Sequence, residues 1–445
     1  MKRIYPIVLL LLGGSWWLTT PEVSIADATS ASQSNKSEKP RYRKPLPPEV
    51  VELIGVLGIG NSLVELKDGS LLSNDGRISR DGGKTWSPPH TFAPGIAGSQ
   101  IMRLKSGKLL LTNGGRRIWM AEVPSEAGIW LSKDEGKTWG TPRAIQQIGE
   151  PLYATLIQLR SGRLLQPNRA CFGNMEHVGL TYEKDSAWGT CRGWRYQVEG
   201  HGHLPEVSIG AVCYSDDEGA TWKSGNKGDT GNAPYSSAIL MGWFGTDGKP
   251  TTGDGWITDT DEPSVAETKD GRVLFFARST VGRIVQSYSG DGGLTWTPVA
   301  PTELASSYSP PRLVRIPKTG DLMCVWNQVS PEEIRRGFRQ GRLSVAISQD
   351  SGATWNHFKT LELSSGLEDV AWVTPRRIEM VIRARKDVGR LPDDYAFFHY
   401  ANVCFARDKV YLMYSRGGPV RGVAEQNLNV QEQVLRICPL DWFYQ

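Results

Sequence analysis

One eight-residue phrase recurs five times in this chain, at residues 79–86 (SRDGGKTW), 132–139 (SKDEGKTW), 215–222 (SDDEGATW), 289–296 (SGDGGLTW) and 348–355 (SQDSGATW). In S-x-D-x-G-x-T-W the Asp and Gly supply a bend, while Thr and Trp open a strand whose ring turns inward. Five copies mean five equivalent hairpins, so the chain is expected to be built of repeats. The motif accounts for five of the 16 Trp, which makes a structural explanation sufficient for much of the aromatic excess.

A second signal interleaves with the first and occurs six times: a strand, a tight turn and a second strand, as in LVELKDGSLL ending at Leu72 or VAETKDGRVLFF ending at Phe276. The first five copies are each followed by one Asp turn, which predicts a four-stranded antiparallel sheet per repeat. The sixth has none, and the terminal VLRICPLDWFY is expected to complete the last sheet or close the ring. Six such sheets hide their edges by radial closure. The expected fold is therefore all-β: a six-bladed β-propeller of four-stranded antiparallel blades over residues 49–445. Only the stretch SPEEIRRGF, residues 330–338, has room for a turn or two of helix.

Residues 1–28 read as a signal peptide: Lys2 and Arg3, an apolar run over residues 4–12, then Ala26-Asp27-Ala28 suited to cleavage. The run is too short to span a bilayer, so a secreted or periplasmic protein without stable membrane insertion is expected; an uncleaved signal anchor is the alternative. Residues 29–48 are polar and Pro-rich and read as a flexible linker. With 51 Lys and Arg against 47 Asp and Glu, a net charge of +4 gives no reason to invoke nucleic acid. Cys171 and Cys191 flank a polar insertion and are placed either to staple it or to remain thiols, whereas Cys213, Cys324, Cys404 and Cys438 lie in apolar runs and read as buried hydrophobes. His177, His201 and His203 lack a metal-ligand spacing, so neither a metal nor another cofactor is expected. A monomer is the default.

The repeated phrase resembles the Asp-box, or BNR repeat, of the sialidase (neuraminidase) superfamily, over roughly residues 50–445. In that family the Asp-boxes lie on the face away from the site, so Asp81, Asp134, Asp217, Asp291 and Asp350 are expected to bond turn backbone and not to catalyse. Topology selects the other candidates. In a four-stranded meander the turns joining strands one to two and three to four share one face. The start of strand one, the end of strand two and the start of strand three therefore point to the opposite face. Polar residues there are Glu262, Arg278, Arg342, Tyr400 and Arg416.

The stretch from Glu262-Pro263-Ser264 through Gly271 to Arg278 is similar to the sialidase segment in which a Glu precedes strand one and an Arg ends strand two. Arg342 in GRLSVAIS resembles a third-strand arginine of the family's triad, and Tyr400 in HYANVCF falls where the nucleophilic Tyr enters a strand. The resemblance implies that Glu262 takes the proton of Tyr400 while Arg278 and Arg342 hold an anionic substituent, with Arg416 a further substrate-binding candidate. A planar guanidinium binds carboxylate or sulfate through two parallel hydrogen bonds. A neutral phenol deprotonated by a neighbouring Glu also avoids the repulsion between an anionic sugar and a carboxylate nucleophile.

Two departures stand against a plain sialidase. Residues 58–63 (GIGNSL) replace the family's R-I-P entry, and residues 71–78 (LLSNDGRI) are nearly a bare hairpin where the acid Asp is expected. Asp75 is a candidate acid, although Asn-Asp-Gly is first a turn sequence; Glu126, Asp261 and Asp394 are other acids near that face. Arg116, Arg117, Arg335, Arg336 and Arg339 are candidates to replace the missing guanidinium. The long insertion of blade three, residues 168–205, is placed to overhang the central pocket. The expectation is a secreted exo-glycosidase that hydrolyses a terminal anionic sugar, sialic acid or another acidic residue, by a retaining Tyr/Glu mechanism on a glycan or glycoconjugate. The alternatives are a carbohydrate-binding propeller that has lost the acid and a protein-interaction scaffold.

Overall fold

The computed structural model of the chain describes residues 46–57, 61–92, 100–112, 128–145, 155–172, 180–182, 188–191, 194–197, 207–224, 242–244, 256–258, 260–375, 378, 391–392, 394–418 and 430–445. They lie in one unit, Pro40–Gln445, and the expected signal peptide lies outside them. Six antiparallel sheets follow one another as blades. Blade one is Leu63–Glu65, Leu71–Ser73 and Ile78–Ser79; blade two is Gln100–Arg103, Leu109–Thr112, Gly128–Ser132 and Arg143–Ala144. Blade three is Ile157–Gln158, Leu164–Phe172, Val207–Ser215 and Lys223–Ser224; blade four is Asp261–Glu267, Val273–Arg278, Arg283–Ser289 and Ala300–Ala305. Blade five is Arg312–Arg315, Leu322–Asn327, Arg342–Ser348 and Asn356–Leu363. Blade six takes Phe397–Ala406, Lys409–Gly418 and Val430–Pro439 from the end of the chain and its fourth strand, Val51–Ile54, from the beginning.

The ring is thus closed by pairing Val51 with Ile437 and Ile54 with Val434, and the terminal strand completes the last sheet as its third member. Blade one has three strands among the described residues, not the expected four. After its Asp turn the chain runs Ser87-Pro88-Pro89, and two prolines in succession offer no N–H for a ladder. Ser87 bonds back, its N–H to the Ile78 carbonyl at 2.9 Å, and the next N–H to do so is that of His90, to the Asp75 carbonyl at 3.0 Å. The insertion of blade three begins later than its sequence suggests, because Asn168 pairs with Ala211 inside an extended hairpin that reaches Phe172 and Val207. Beyond it lies a small sheet of Leu180–Tyr182, Trp188–Cys191 and Trp194–Gln197. The side chains of Cys171 and Cys191, and His177, His201 and His203, are outside the described residues.

The five Asp turns explain their own spelling. In the copy at residues 215–222, Ser215 Oγ donates to Asp217 Oδ1 at 2.8 Å and accepts the Gly219 N–H at 2.8 Å, while the Thr221 N–H and hydroxyl both donate to Asp217. The same bonds recur in the other four copies. These bonds hold the Asp134 and Asp217 carboxyls at about 2. The Gly is needed twice over. Each takes positive φ, and each presses on the preceding blade: a Cβ on Gly136 would meet Leu72, on Gly219 Ile129, on Gly293 Leu165 and on Gly352 Leu274, at 2.0–2.9 Å. The Asp turns therefore fasten each blade to its predecessor.

Hairpin turns and Asp turns share one face, as Lys108 of a blade-two hairpin shows by pairing with Glu218 of the blade-three Asp turn at 2.5 Å. Between blades the core is apolar; Val325 and Val345 of blade five, for example, pack with Leu412 and Tyr414 of blade six. The six inner strands line a central channel of about 590 Å³ to which Glu65, Arg103, Gln158, Glu267, Arg315 and Phe405 contribute one residue per blade. Cys213, Cys324, Cys404 and Cys438 are free thiols, and burial raises Cys404 to about 11 and Cys438 to about 12. No helix among the described residues is long and apolar enough to cross a membrane.

Candidate functional site

Opposite the turn-bearing face, the inner strands of blades four and six each break their register once. In blade four Asp261 pairs with Arg278 and Ser264 with Phe276, so that Glu262 and Pro263 face Ala277 alone. In blade six His399 pairs with Ser415 and Asn402 with Met413, so that Tyr400 and Ala401 face Tyr414 alone. Both are two-against-one bulges, and the first residue of each is left-handed: Glu262 at φ 44° and Tyr400 at φ 55°. Pro263 contributes by withholding an N–H from the ladder. Non-glycine residues held in this region cost about 1–3 kcal/mol each and persist where their surroundings over-determine them.

Asp261 does much of that determining in blade four. Its side chain is fully buried. Oδ1 accepts the Glu262 N–H at 2.7 Å, and Oδ2 receives Arg278 Nε at 3.0 Å, Arg278 Nη2, the Tyr308 hydroxyl at 3.2 Å and Arg169 Nη1 at 3.3 Å. Arg278 reaches Glu262 as well, with Nη1 2.7 Å from Oε2, and lies over the Tyr308 ring at 4.2 Å. Burial alone would lower the Arg278 pKa, but Asp261 and Glu262 outweigh it and raise the group well above its ordinary value. In blade six Asn402 fixes the chain after Tyr400, its Oδ1 accepting the Val403 N–H and its Nδ2 donating to the Asn61 carbonyl.

Arg312, the first residue of blade five's inner strand, ties the two bulges together. It is buried, donates from Nε to the Ala401 carbonyl at 3.1 Å and from Nη1 to Thr155 Oγ1 at 2.8 Å, and feels the charge of Glu262. Burial lowers its pKa to about 10, against the upward pull of Cys404 and Glu262.

Arg278 and Tyr400 line one cavity of about 330 Å³, whose walls include Tyr308, Phe338, Arg339 and Tyr395. His399 also lines it, its ring 5.0 Å from that of Tyr400, and burial lowers its pKa to about 4. The structure thus places Arg278 and Tyr400 on one cavity, with Glu262 outside its lining and in contact with the Arg278 guanidinium.

Of the remaining sequence candidates Arg339 lines this cavity, whereas Arg342, Arg416, Asp75 and Asp394 do not. Arg342 is fully buried and engaged by Glu333 at 3.0 and 3.1 Å and by the carbonyls of Gln328 and Glu368. Glu333 is placed for this by a short helix, Pro331–Arg335, which it caps together with Ser330. Arg416 is equally committed, to Glu362 at 2.9 Å, Glu432 at 2.8 Å and Glu52 at 3.4 Å. Neither lines the cavity, so Arg342 does not join Arg278 there as the expected pair, and Arg416 is not presented to it. Asp75 sits in its turn, bonded to Ser73 and paired with Arg77 at 2.9 Å, and Asp394 is also outside the lining. Arg116, Arg117 and Glu126 lie outside the described residues.

Sequence reasoning passed over Arg312, Arg169, Tyr308 and the holding role of Asp261. The signal for Arg312 was available, because it is a polar residue opening an inner strand. Among the described residues no group of three or more His, Cys, Asp or Glu is arranged to hold a metal ion.

A family model described as a BNR repeat-like domain matches residues 113–412, and one described as a BNR/Asp-box repeat matches residues 77–88. Among solved structures, a protein of unknown function from Dyadobacter fermentans is 15% identical, with 88% of this chain and 99% of that chain covered and a TM-score of 0.49. An alpha-L-arabinanase of Penicillium chrysogenum is 13% identical (86% and 93% covered, TM-score 0.43). A Trypanosoma rangeli sialidase is 14% identical (88% and 55% covered, TM-score 0.42).

Proposed function

The chain belongs to the BNR repeat-like domain family, and from that premise we propose that it is a secreted or periplasmic glycoside hydrolase acting on a terminal anionic sugar, sialic acid or another acidic residue. The observation that carries the reading is the pairing of two strained bulges around one cationic centre. Glu262 and Tyr400 head the bulges, Arg278 binds Glu262, and Arg278 shares its cavity with Tyr400. Strained polar residues of complementary chemistry beside one cavity are common at catalytic sites and are not explained by packing alone.

In the proposed reaction the Tyr400 hydroxyl gives its proton to Glu262 and its oxygen bonds to the anomeric carbon as the glycosidic C–O bond breaks. The leaving oxygen takes a proton from an acid. Water, giving one proton to the conjugate base of that acid, then displaces the tyrosine oxygen from the same carbon, and Tyr400 recovers its proton from Glu262, with net retention. Arg278, Arg169 and Arg312 surround Asp261 and Glu262 with more positive than negative charge, which favours an anionic substrate.

A second reading, a carbohydrate-binding propeller without turnover, is favoured by one observation: Asp75 is held in a turn by Ser73 and Arg77. Fluorogenic sialosides with a panel of uronic, sulfated and neutral glycosides separate the two. Turnover that falls by about 10²–10⁴ in Glu262→Gln and is lost in Tyr400→Phe supports the hydrolase. Saturable binding without product supports the binding propeller, and no glycan binding at all rejects both.

A further inference from the structure

At the turn-bearing end of the channel, the last residue of an inner strand closes against the hairpin of the preceding blade. Gln158 Oε1 accepts the Lys105 N–H at 2.7 Å between blades two and three, and Glu267 Oε2 accepts the Arg160 N–H at 2.8 Å between blades three and four. Between blades one and two Arg103 does this through Glu135, which it holds at 2.8 and 2.7 Å and whose Oε2 accepts the Lys67 N–H at 3.0 Å. Between blades four and five the corresponding residue is Arg315, a donor in place of an acceptor, and the corresponding N–H is that of Lys269. Among the described residues no acceptor meets the Lys269 N–H, no carboxylate pairs with the Arg315 guanidinium, and the buried Arg315 Nε has no partner.

We propose that a small oxyanion, a carboxylate, sulfate or phosphate, binds at this mouth of the channel between blades four and five, on the Arg315 guanidinium and the Lys269 N–H. It supplies there the acceptor that Gln158 and Glu267 supply at the neighbouring seams. Arg315 is half-buried and lines the channel. Its guanidinium rests on Gly320 of its own hairpin, where a Cβ would come within 3.0 Å of Nη2. That same Cβ would lie 3.3 Å from the stem of Lys269, whose ammonium is bonded to Asp321. Around the channel the cations Arg103, Lys105, Arg160 and Arg315 face only the carboxylates Glu65 and Glu267, a balance that favours an anion. The other three cations are already met, Arg103 by Glu135, Arg160 by Glu267 and Lys105 by the Arg160 carbonyl. A planar guanidinium offers two parallel N–H groups to two oxygens of one anion, and partial burial makes that pairing stronger than in water. An anion that bridges two blades only when the ring is folded stabilises the ring. The channel and the cavity of Tyr400 share no lining residue, so this site stands apart from the sugar reaction.

Thermal unfolding of the full chain in sulfate, inorganic phosphate, acetate and citrate, each against chloride at matched ionic strength, tests this without requiring turnover. Wild type is expected to show a saturable rise in midpoint of about 1–3 °C at tenfold excess over the dissociation constant. The anion with the lowest half-saturation tells an inorganic ligand from an organic acid. Arg315→Gln is expected to lose the response and, by giving the seam the side chain that blade three uses, to unfold without added anion no earlier than wild type. Arg315→Lys, which keeps the charge but not the planar fork, is expected to bind about tenfold more weakly. Lys318→Gln removes an exposed charge from the same hairpin and is expected to keep the full response. A wild-type protein without a saturable rise overturns the inference. So does an equal rise in wild type and Arg315→Gln, which is the general exclusion of these salts from protein surface.

Discussion

Glu262 and Tyr400 stand at the same position of the same irregularity, each the left-handed first residue of a two-against-one bulge on an inner strand, one in blade four and one in blade six. A regular strand would send successive side chains alternately to the two faces of a blade. The extra residue re-aims one side chain at each place, and the two blades do so with residues of complementary acid–base character.

The blade-four bulge depends on Asp261, a positioning residue that holds the Glu262 N–H, Arg278, Arg169 and Tyr308. Asp261→Asn keeps the shape but removes the charge facing two buried guanidinium groups. Breaking a buried pair from one side costs about 3–5 kcal/mol, so urea unfolding should show a loss of about that size. Turnover is expected to fall about tenfold or more at temperatures where the variant is still folded, with a shifted pH profile that a purely structural lesion elsewhere would not produce.

Ring closure depends on a buried charge cluster. Glu362 of blade five accepts Arg416, Arg436 and the Tyr414 hydroxyl at 2.9, 2.7 and 2.6 Å, while Glu52 of the N-terminal strand takes Arg436 at 2.9 Å. Glu362→Ala leaves two guanidinium groups without this partner and should cost about 3–5 kcal/mol in chemical unfolding. Hydrogen exchange should show strand Val51–Ile54 losing protection first, because it is the one element that joins blade six from the far end of the chain.

The Asp-turn glycines should tolerate no side chain. At Gly219 a Cβ would lie 2.0 Å from Ile129 Cδ1, and the residue's φ is 81°. Gly219→Ala combines a left-handed alanine with overpacking and should lower stability by about 1–3 kcal/mol in thermal or urea unfolding. Adding Ile129→Val, which withdraws the clashing methyl, should recover part of the loss.

His399 makes stability depend on pH. Burial lowers its pKa from 6.5 to about 4. Between these values the unfolded chain binds a proton that the folded protein refuses, so this contribution is complete above pH 6.5 and is lost as the pH falls toward 4. Unfolding free energies measured across that window should fall with pH in the wild type and fall less steeply in His399→Phe.

The blade count, the shared face of hairpins and Asp turns, and the strand positions of Glu262, Arg278 and Tyr400 on the opposite face were legible in the chain, because each rests on local pattern: alternation, turn residues and the order of strands. The Asp-turn carboxylates were legible as structural for the same reason, since their partners lie within four residues. Proline had a local signature too, and the Ser87-Pro88-Pro89 run accounts for the three strands of blade one among the described residues.

What sequence alone could not assign was the use of each arginine. Arg278, Arg342 and Arg416 look alike as strand-end cations, yet one meets Asp261 and Glu262 at the cavity and the others are absorbed by Glu333 and by Glu362 and Glu432. Those carboxylates come from a capped helical turn, an outer strand and the chain's own closing strands, and their approach is settled by how blades pack and not by spacing. Arg312 acquires its contacts in the same way, from a neighbour on another blade. The repeat determined the propeller because turns and strands are decided locally, whereas the cations that face the cavity were decided by tertiary structure, because a buried charge goes where a partner carboxylate is packed against it.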